Sequence, residues 1–361
     1  MKSSFFIKIF TLLSSFFIVI DGFAQADVSP FFFSIDYRKG KNVPHRSVVE
    51  NLHYPYYGVD LKMGWQTIGK QDWQRAFRYP SLGVGVNWNT FKTEILGEPV
   101  AAYFFTNFPQ ITASWFRIDL EVDFGLSYGI NPYNKLTNPD NFSTGSSLNA
   151  FFGLYLEQSV HLSPQVDFFV SEGITHYSNG ALGWPNIGLN IPSMKFGIRY
   201  LNEPPAYIRD RPKPSYERGF SLVTNLSGGT KKLYAPTPSY HEVSISSSVF
   251  YRSGYKRRVG AGAEVAYNEV LKGVSLNEKY PMADLMTMSV HVSHEFLIDR
   301  FTILSQLGVY LKNQPTDKFY YERIGFGYYF WRNFRVLLNI KAHYIKAEYV
   351  EAGISYDLEL K

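Results

Sequence analysis

The sequence predicts an all-β protein, a transmembrane antiparallel β-barrel of about sixteen strands (12–16), and three observations lead there. After residue 30 the chain runs in segments of about ten residues in which apolar and polar side chains alternate, separated by clusters of Gly, Pro, Asn, Asp and Ser. Aromatic residues make up 17% of the chain, with 27 Tyr and 30 Phe, more than a soluble core of this size needs and suited to the aromatic girdles of a membrane barrel. Beyond the N-terminus no window reaches the ~18 uncharged apolar residues of a transmembrane helix, so a membrane crossing has to be made with strands. A secreted β-sandwich would alternate in the same way. The aromatic content, the leader and the number of segments decide against it.

The first 26 residues read as a signal peptide: Lys2 and Lys8, an apolar run ending near Ile20, then small residues at Ala24 and Ala26. A membrane anchor would need about 20 unbroken apolar residues, and Lys8, Ser14 and Ser15 interrupt this run. The expected destination is the Gram-negative outer membrane. The absence of cysteine excludes disulfides, a thiol nucleophile and a lipoprotein anchor. The net charge of +5 is spread along the chain, which gives nucleic-acid binding no support and suits life among phosphorylated lipid headgroups.

Sixteen candidate strands follow, near 29–38, 57–66, 81–92, 98–107, 112–130, 146–161, 166–178, 193–201, 218–228, 241–252, 257–268, 284–297, 301–311, 319–330, 334–344 and 347–360. The last is the clearest, with Val350, Ala352, Ile354, Tyr356, Leu358 and Leu360 on one face and Glu351, Gly353, Ser355, Asp357 and Glu359 on the other. With the first strand running outward, the tight turns at 162–165, 297–300 and 331–333 fall inside, and the long segments 129–145 and 267–282 fall outside. Two long inner connections, 69–80 and 203–219, break this pattern. The second is Pro-rich and splits the strands into two sets of eight. One continuous wall is favoured over two tandem eight-stranded barrels. The expected parts are a first half over 27–201 that carries the chemistry, a Pro-rich periplasmic connection over 202–217, and a second half over 218–361. That second half reads as a degenerate duplicate, because LNAFFGLYLEQSVHLSPQVDFFVSEGITHYSN runs parallel to FYYERIGFGYYFWRNFRVLLNIKAHYIK. In this alignment His343 and Tyr344 match His176 and Tyr177, and Ile345 replaces Ser178.

The candidate chemistry lies in ITHYSNGALGWPNIGLN, residues 174–190. On the seventh strand Val166, Phe168, Val170, Glu172, Ile174, His176 and Ser178 share a face that is mainly apolar until its outer end. Two positions apart on one face separates His176 and Ser178 by about 6.5–7 Å, within reach of a shared hydrogen bond. A His beside a Ser hydroxyl is the minimum for an activated serine nucleophile. Taken alone, such a pair is more often a pair of interfacial polar residues. The polar, Gly-rich SNGALGWPNIGLN that follows carries three Asn side chains able to place amide donors near an oxyanion.

These residues resemble the lipid A 3-O-deacylases and the larger barrels known as acyloxyacyl hydrolases. The resemblance is carried by His176, Tyr177, Ser178, Asn179 and Gly180, then Pro185, Asn186 and Gly188, and more weakly by GWQTIGKQDWQRAFRYPSLGVGV and NFSTGSSLN; it covers about residues 45–201. It implies an outer-membrane serine esterase that removes acyl chains from lipid A or lipopolysaccharide at the lipid-facing barrel surface, without metal or cofactor. Ser178 would be the nucleophile, His176 the general base, and Asn179, Gly180 and Asn186 the oxyanion or positioning groups. Where the smaller deacylases carry a glutamate fourteen residues after the histidine, this chain has Asn190. Its carbonyl can hold the imidazole tautomer, as in Cys-His-Asn enzymes, but cannot neutralise an imidazolium. Glu172 lies roughly 13 Å along the strand, too far to substitute. A catalytically inactive barrel, acting as a pore or structural protein, is the alternative, and a homodimer that shields the site stays open.

Overall fold

The computed structural model describes residues 29–360 apart from 213, 235–237, 270, 271, 273–280, 314–317 and 345. The expected signal peptide lies outside the described residues. The first eight strands are β1 (Phe31–Lys41), β2 (Pro55–Gln66), β3 (Ser81–Thr90), β4 (Gly97–Thr112), β5 (Phe116–Ile130), β6 (Leu148–Ser163), β7 (Val166–Ser178) and β8 (Leu189–Leu201). The next eight are β9 (Phe220–Lys232), β10 (Ser239–Arg252), β11 (Arg257–Asn268), β12 (Met286–Ile298), β13 (Phe301–Lys312), β14 (Tyr320–Trp331), β15 (Phe334–His343) and β16 (Lys346–Leu360). Every strand expected from the alternation is present, all in antiparallel ladders.

The favoured single wall does not form. β8 pairs back onto β1, from Phe32↔Leu201 to Gly40↔Ser193, and β16 pairs onto β9, from Val350↔Thr230 to Leu360↔Phe220. The result is two closed eight-stranded barrels in tandem. The segment between them carries Pro204, Pro205, Pro212 and Pro214, which have no N–H to give a ladder, so β8 is not continued into β9 and each set of eight satisfies its own edges.

Both barrels are apolar outside and carry charged and polar side chains inside, packed in the first barrel among buried aromatics such as Phe32, Phe105 and Phe151. Phe33, Ile35, Leu61, Ile198, Leu226, Val292 and Ile354 project outward and exposed. The interiors are filled rather than open, as expected for eight strands. Inside the first barrel Lys62 and Lys195 converge on Glu121 at 2.6 and 2.5 Å, and Lys195 reaches Asp123 at 3.3 Å. Inside the second, Arg323 meets Glu264 and Glu351, each at 2.7 Å, and Lys341 meets Glu242 at 2.6 Å. Buried charges are costly unless paired in this way, so these clusters hold the facing strands of each barrel in fixed geometry.

The two long inner connections pack on one another. The segment between β2 and β3 contains helix α1 (Asp72–Ala76), and the Pro-rich connection lies against it: Ile208 N–H donates to Ile68 O at 2.8 Å and the Tyr79 and Tyr207 rings meet at a tilt, 4.8 Å apart. The barrels also touch one another, through Phe124 and Phe326 at 4.8 Å and through Lys232 N–H, which donates to Ala181 O at 2.9 Å.

Candidate active site

The strand that carries His176 and Ser178 is held from within. Its inward side chains Phe169, Ser171, Thr175 and Tyr177 are buried. Arg38 donates to Thr175 Oγ1 at 2.7 Å while holding Asp60, and Tyr155 lies 2.6 Å from the same hydroxyl. The Tyr177 hydroxyl shares a 2.8 Å hydrogen bond with Tyr56 and accepts from Asn89 at 3.2 Å. Since side chains alternate along a strand, fixing Thr175 and Tyr177 inward fixes His176 and Ser178 outward. On that outer face Phe168 and Ile174 are exposed, His176 is half-buried and Ser178 is 8% exposed.

His176 and Asn190 come together through the β7–β8 register, in which they are direct partners. His176 Nδ1 lies 2.7 Å from Asn190 Oδ1. That bond occupies one ring nitrogen and leaves Nε2 as the one that can serve Ser178. Gly188 sits over this edge of the ring; a Cβ there would fall 2.8 Å from His176 Cε1, and its φ of +82° is one that L side chains rarely adopt. Ser178 Oγ donates to Asn186 Oδ1 at 3.3 Å and accepts from Gly180 N–H at 3.1 Å. Among the described residues no hydrogen bond joins Ser178 to His176.

The other loop residues divide by task. Asn186 Oδ1 also accepts from Asn179 N–H at 2.9 Å, so this side chain turns its oxygen, not its N–H groups, toward Ser178. The Asn179 amide is spent on Thr144 Oγ1 and Pro185 O, both at 3.1 Å. Of the sequence-derived oxyanion candidates, Gly180 is the one whose N–H is directed at Ser178 Oγ. The NFSTGSSLN segment clasps the loop from the side: Ile187 and Gly188 N–H both donate to Ser143 O at 2.9 Å, and Gly145 N–H donates to Pro185 O at 2.7 Å. The upstream GWQTIGKQDWQRAFRYPSLGVGV segment is not part of the site, because it spans the end of β2, helix α1 and β3.

Two contributors were not legible beforehand. His45, in the loop after β1, accepts from Asn190 Nδ2 at Nδ1, 3.0 Å away. The second barrel contributes Val350 and Lys232: Gly180 has φ +63° and a Cβ there would lie 2.2 Å from Val350 Cγ2, while the neighbouring Ala181 carbonyl is held by Lys232 N–H. His343, which the sequence aligns with His176, points the other way. It is buried inside the second barrel, 2.9 Å from the Tyr310 hydroxyl, so the two histidines occupy opposite sides of their walls.

Comparison with known proteins finds a family model over each barrel. Residues 57–199 match the model of the lipid A 3-O-deacylases, and residues 220–360 match the model of the acyloxyacyl hydrolase C-terminal domain. No curated protein matches the chain. Among solved structures, the outer membrane enzyme PagL aligns at 14% identity with a TM-score of 0.35, over 45% of this chain and 97% of its own. A triple mutant of the Rhodopseudomonas blastica porin aligns at 11% identity with a TM-score of 0.21, over 91% of this chain and 100% of its own. At these scores the structural alignments carry no argument, and the assignment rests on the two sequence models, one for each barrel. The chain belongs to the lipid A 3-O-deacylase and acyloxyacyl hydrolase family.

Proposed function

We propose that the protein is an outer-membrane esterase that hydrolyses a fatty-acyl ester of lipid A at the outward face of its first barrel. The observation that carries this reading is that the lipid A 3-O-deacylase match covers β2 to β8 of the barrel that presents His176 and Ser178 outward, where acyl chains would lie. With Nδ1–H bonded to Asn190, His176 Nε2 takes the proton of Ser178 as Oγ attacks the acyl carbonyl. The oxyanion that forms is met by Gly180 N–H. Collapse expels the alcohol of the cleaved ester, protonated by His176, and water then attacks the acyl-serine by the same route in reverse. Asn190 sets the tautomer without neutralising the imidazolium, so a slower enzyme than one with a carboxylate is expected. Catalytic hydrogen bonds often tighten only when substrate binds, which accommodates a Ser178 that rests on Asn186 in the free protein.

The test is to incubate the purified protein with lipopolysaccharide and weigh lipid A by mass spectrometry beside Ser178→Ala. Loss of one acyl or hydroxyacyl chain that vanishes in the variant supports the reading; identical spectra for the two proteins would overturn it. Filled interiors in both barrels weigh against the pore alternative, and planar-bilayer conductance measures that directly.

A further inference from the structure

An Asn side chain has two ends of nearly equal shape, and only one of them is useful to a general-base histidine. If Oδ1 faces His176 Nδ1, the ring carries its proton there and Nε2 is free to accept. If Nδ2 faces it, the ring accepts at Nδ1, its proton moves to Nε2, and Nε2 can no longer act as a base. A carboxylate has no such ambiguity. The residue paired with His176 in this chain is Asn190, so something has to set the amide.

His45 is placed to do this. Asn190 Oδ1 lies 2.7 Å from His176 Nδ1, and on the amide's other side Nδ2 lies 3.0 Å from His45 Nδ1. Nδ2 can only donate, so His45 Nδ1 is the acceptor. The loop that carries His45 is tied to the same strand, because Val43 N–H donates to the Asn190 carbonyl at 2.8 Å and Asn42 is bonded to Tyr54 and Leu52. Burial, and after it the charge on Arg46, lower the pKa of His45 from its ordinary value, which favours the neutral ring, the form able to accept at Nδ1. Turning the amide over would set Nδ2 against His176 and leave His45 facing Oδ1.

We propose that His45 is a positioning residue for hydrolysis: by accepting from the Asn190 side chain it fixes which end of that amide meets His176, and with it the ring nitrogen that carries the proton. The proposal rests on the reading of His176 as the general base. His45 touches neither substrate nor the reacting atoms in this account. It acts only through Asn190.

Two experiments on the full-length protein test it. In the Ser178→Ala protein, nitrogen-15 NMR of the histidine rings reports the His176 tautomer, assigned by its absence from His176→Gln. The Nδ1–H form should dominate with His45 and with His45→Gln, whose carbonyl can still accept, and should give way to the Nε2–H form in His45→Lys, which can only donate. In steady-state hydrolysis of lipopolysaccharide, His45→Ala should lower kcat about three- to tenfold, the worth of one net hydrogen bond, with KM unchanged. In the Asn190→Asp background, which has no N–H end to misplace, the same substitution should change kcat less than about twofold. An unaltered His176 tautomer in His45→Lys, or an equal loss in both backgrounds, would overturn the proposal. Should Ser178→Ala hydrolyse as fast as the natural protein, the esterase reading fails, and the NMR measurement still decides the role of His45.

Discussion

Gly180→Ala tests how the second barrel bears on the site. Gly180 has φ +63°, and an added Cβ would lie 2.2 Å from Val350 Cγ2. The left-handed backbone costs an L residue about 1–2 kcal/mol. Carbon atoms pack best at about 3.5–4 Å, so more than 1 Å must be opened, and overpacking of that kind costs about 1–3 kcal/mol. The sum, about 2–5 kcal/mol, is relieved most easily by moving the loop away from the second barrel. That displaces Gly180 N–H, which sits 3.1 Å from Ser178 Oγ. A misplacement near 1 Å can cost about 100-fold in rate, and that is the expected loss. Val350→Ala removes Cγ2 and should restore the double variant to within about tenfold, leaving only the backbone strain. The assay is the initial rate of fatty-acid release from lipopolysaccharide, with heat-modifiable gel migration confirming that each variant is folded. Gly180→Ala at the natural rate, or a double variant no faster than the single, would refute the reasoning.

Three other substitutions probe separate parts. Asn190→Asp should raise kcat by about tenfold, because a carboxylate 2.7 Å from Nδ1 stabilises the imidazolium formed during attack; no change would mean that this position does not face a developing charge. Lys195→Met leaves Glu121 with Lys62 alone and removes the lysine that reaches Asp123, and should destabilise the first barrel by about 3–5 kcal/mol in urea unfolding. Ser355→Ala removes the acceptor that holds Arg335 Nε at 3.0 Å inside the second barrel, costing about 1–2 kcal/mol of stability with hydrolysis unaltered; a loss of activity like that of Ser178→Ala would move the site to the second barrel.

Local features were legible because alternation is local. Every strand is present, and the outward placement of Phe168, Ile174, His176 and Ser178 follows from counting by two along β7. Closure was not legible, because which strands meet at an edge is decided by pairing between residues far apart in sequence. The prolines at 204, 205, 212 and 214 marked the break, but only the β8–β1 and β16–β9 ladders settle it as two barrels. The same long-range pairing brings in His45. In a single wall β1 would neighbour β16, and the loop after β1 would lie far from Asn190; closure of β8 on β1 brings Val43 and His45 to that residue. His343 illustrates the opposite hazard. Its sequence neighbourhood resembles that of His176, yet a slip of one position turns a strand residue to the other face, and His343 points inward.

The central claim is that Ser178 is an activated nucleophile on the lipid-facing surface, and a phosphonate ester bearing an acyl-like chain tests it without reference to which ester is cut. The full-length protein in lipid vesicles should form a covalent adduct that maps to Ser178 by peptide mass spectrometry, and the adduct should be lost in His176→Ala. No adduct under these conditions, or one on another serine that persists without His176, would contradict it.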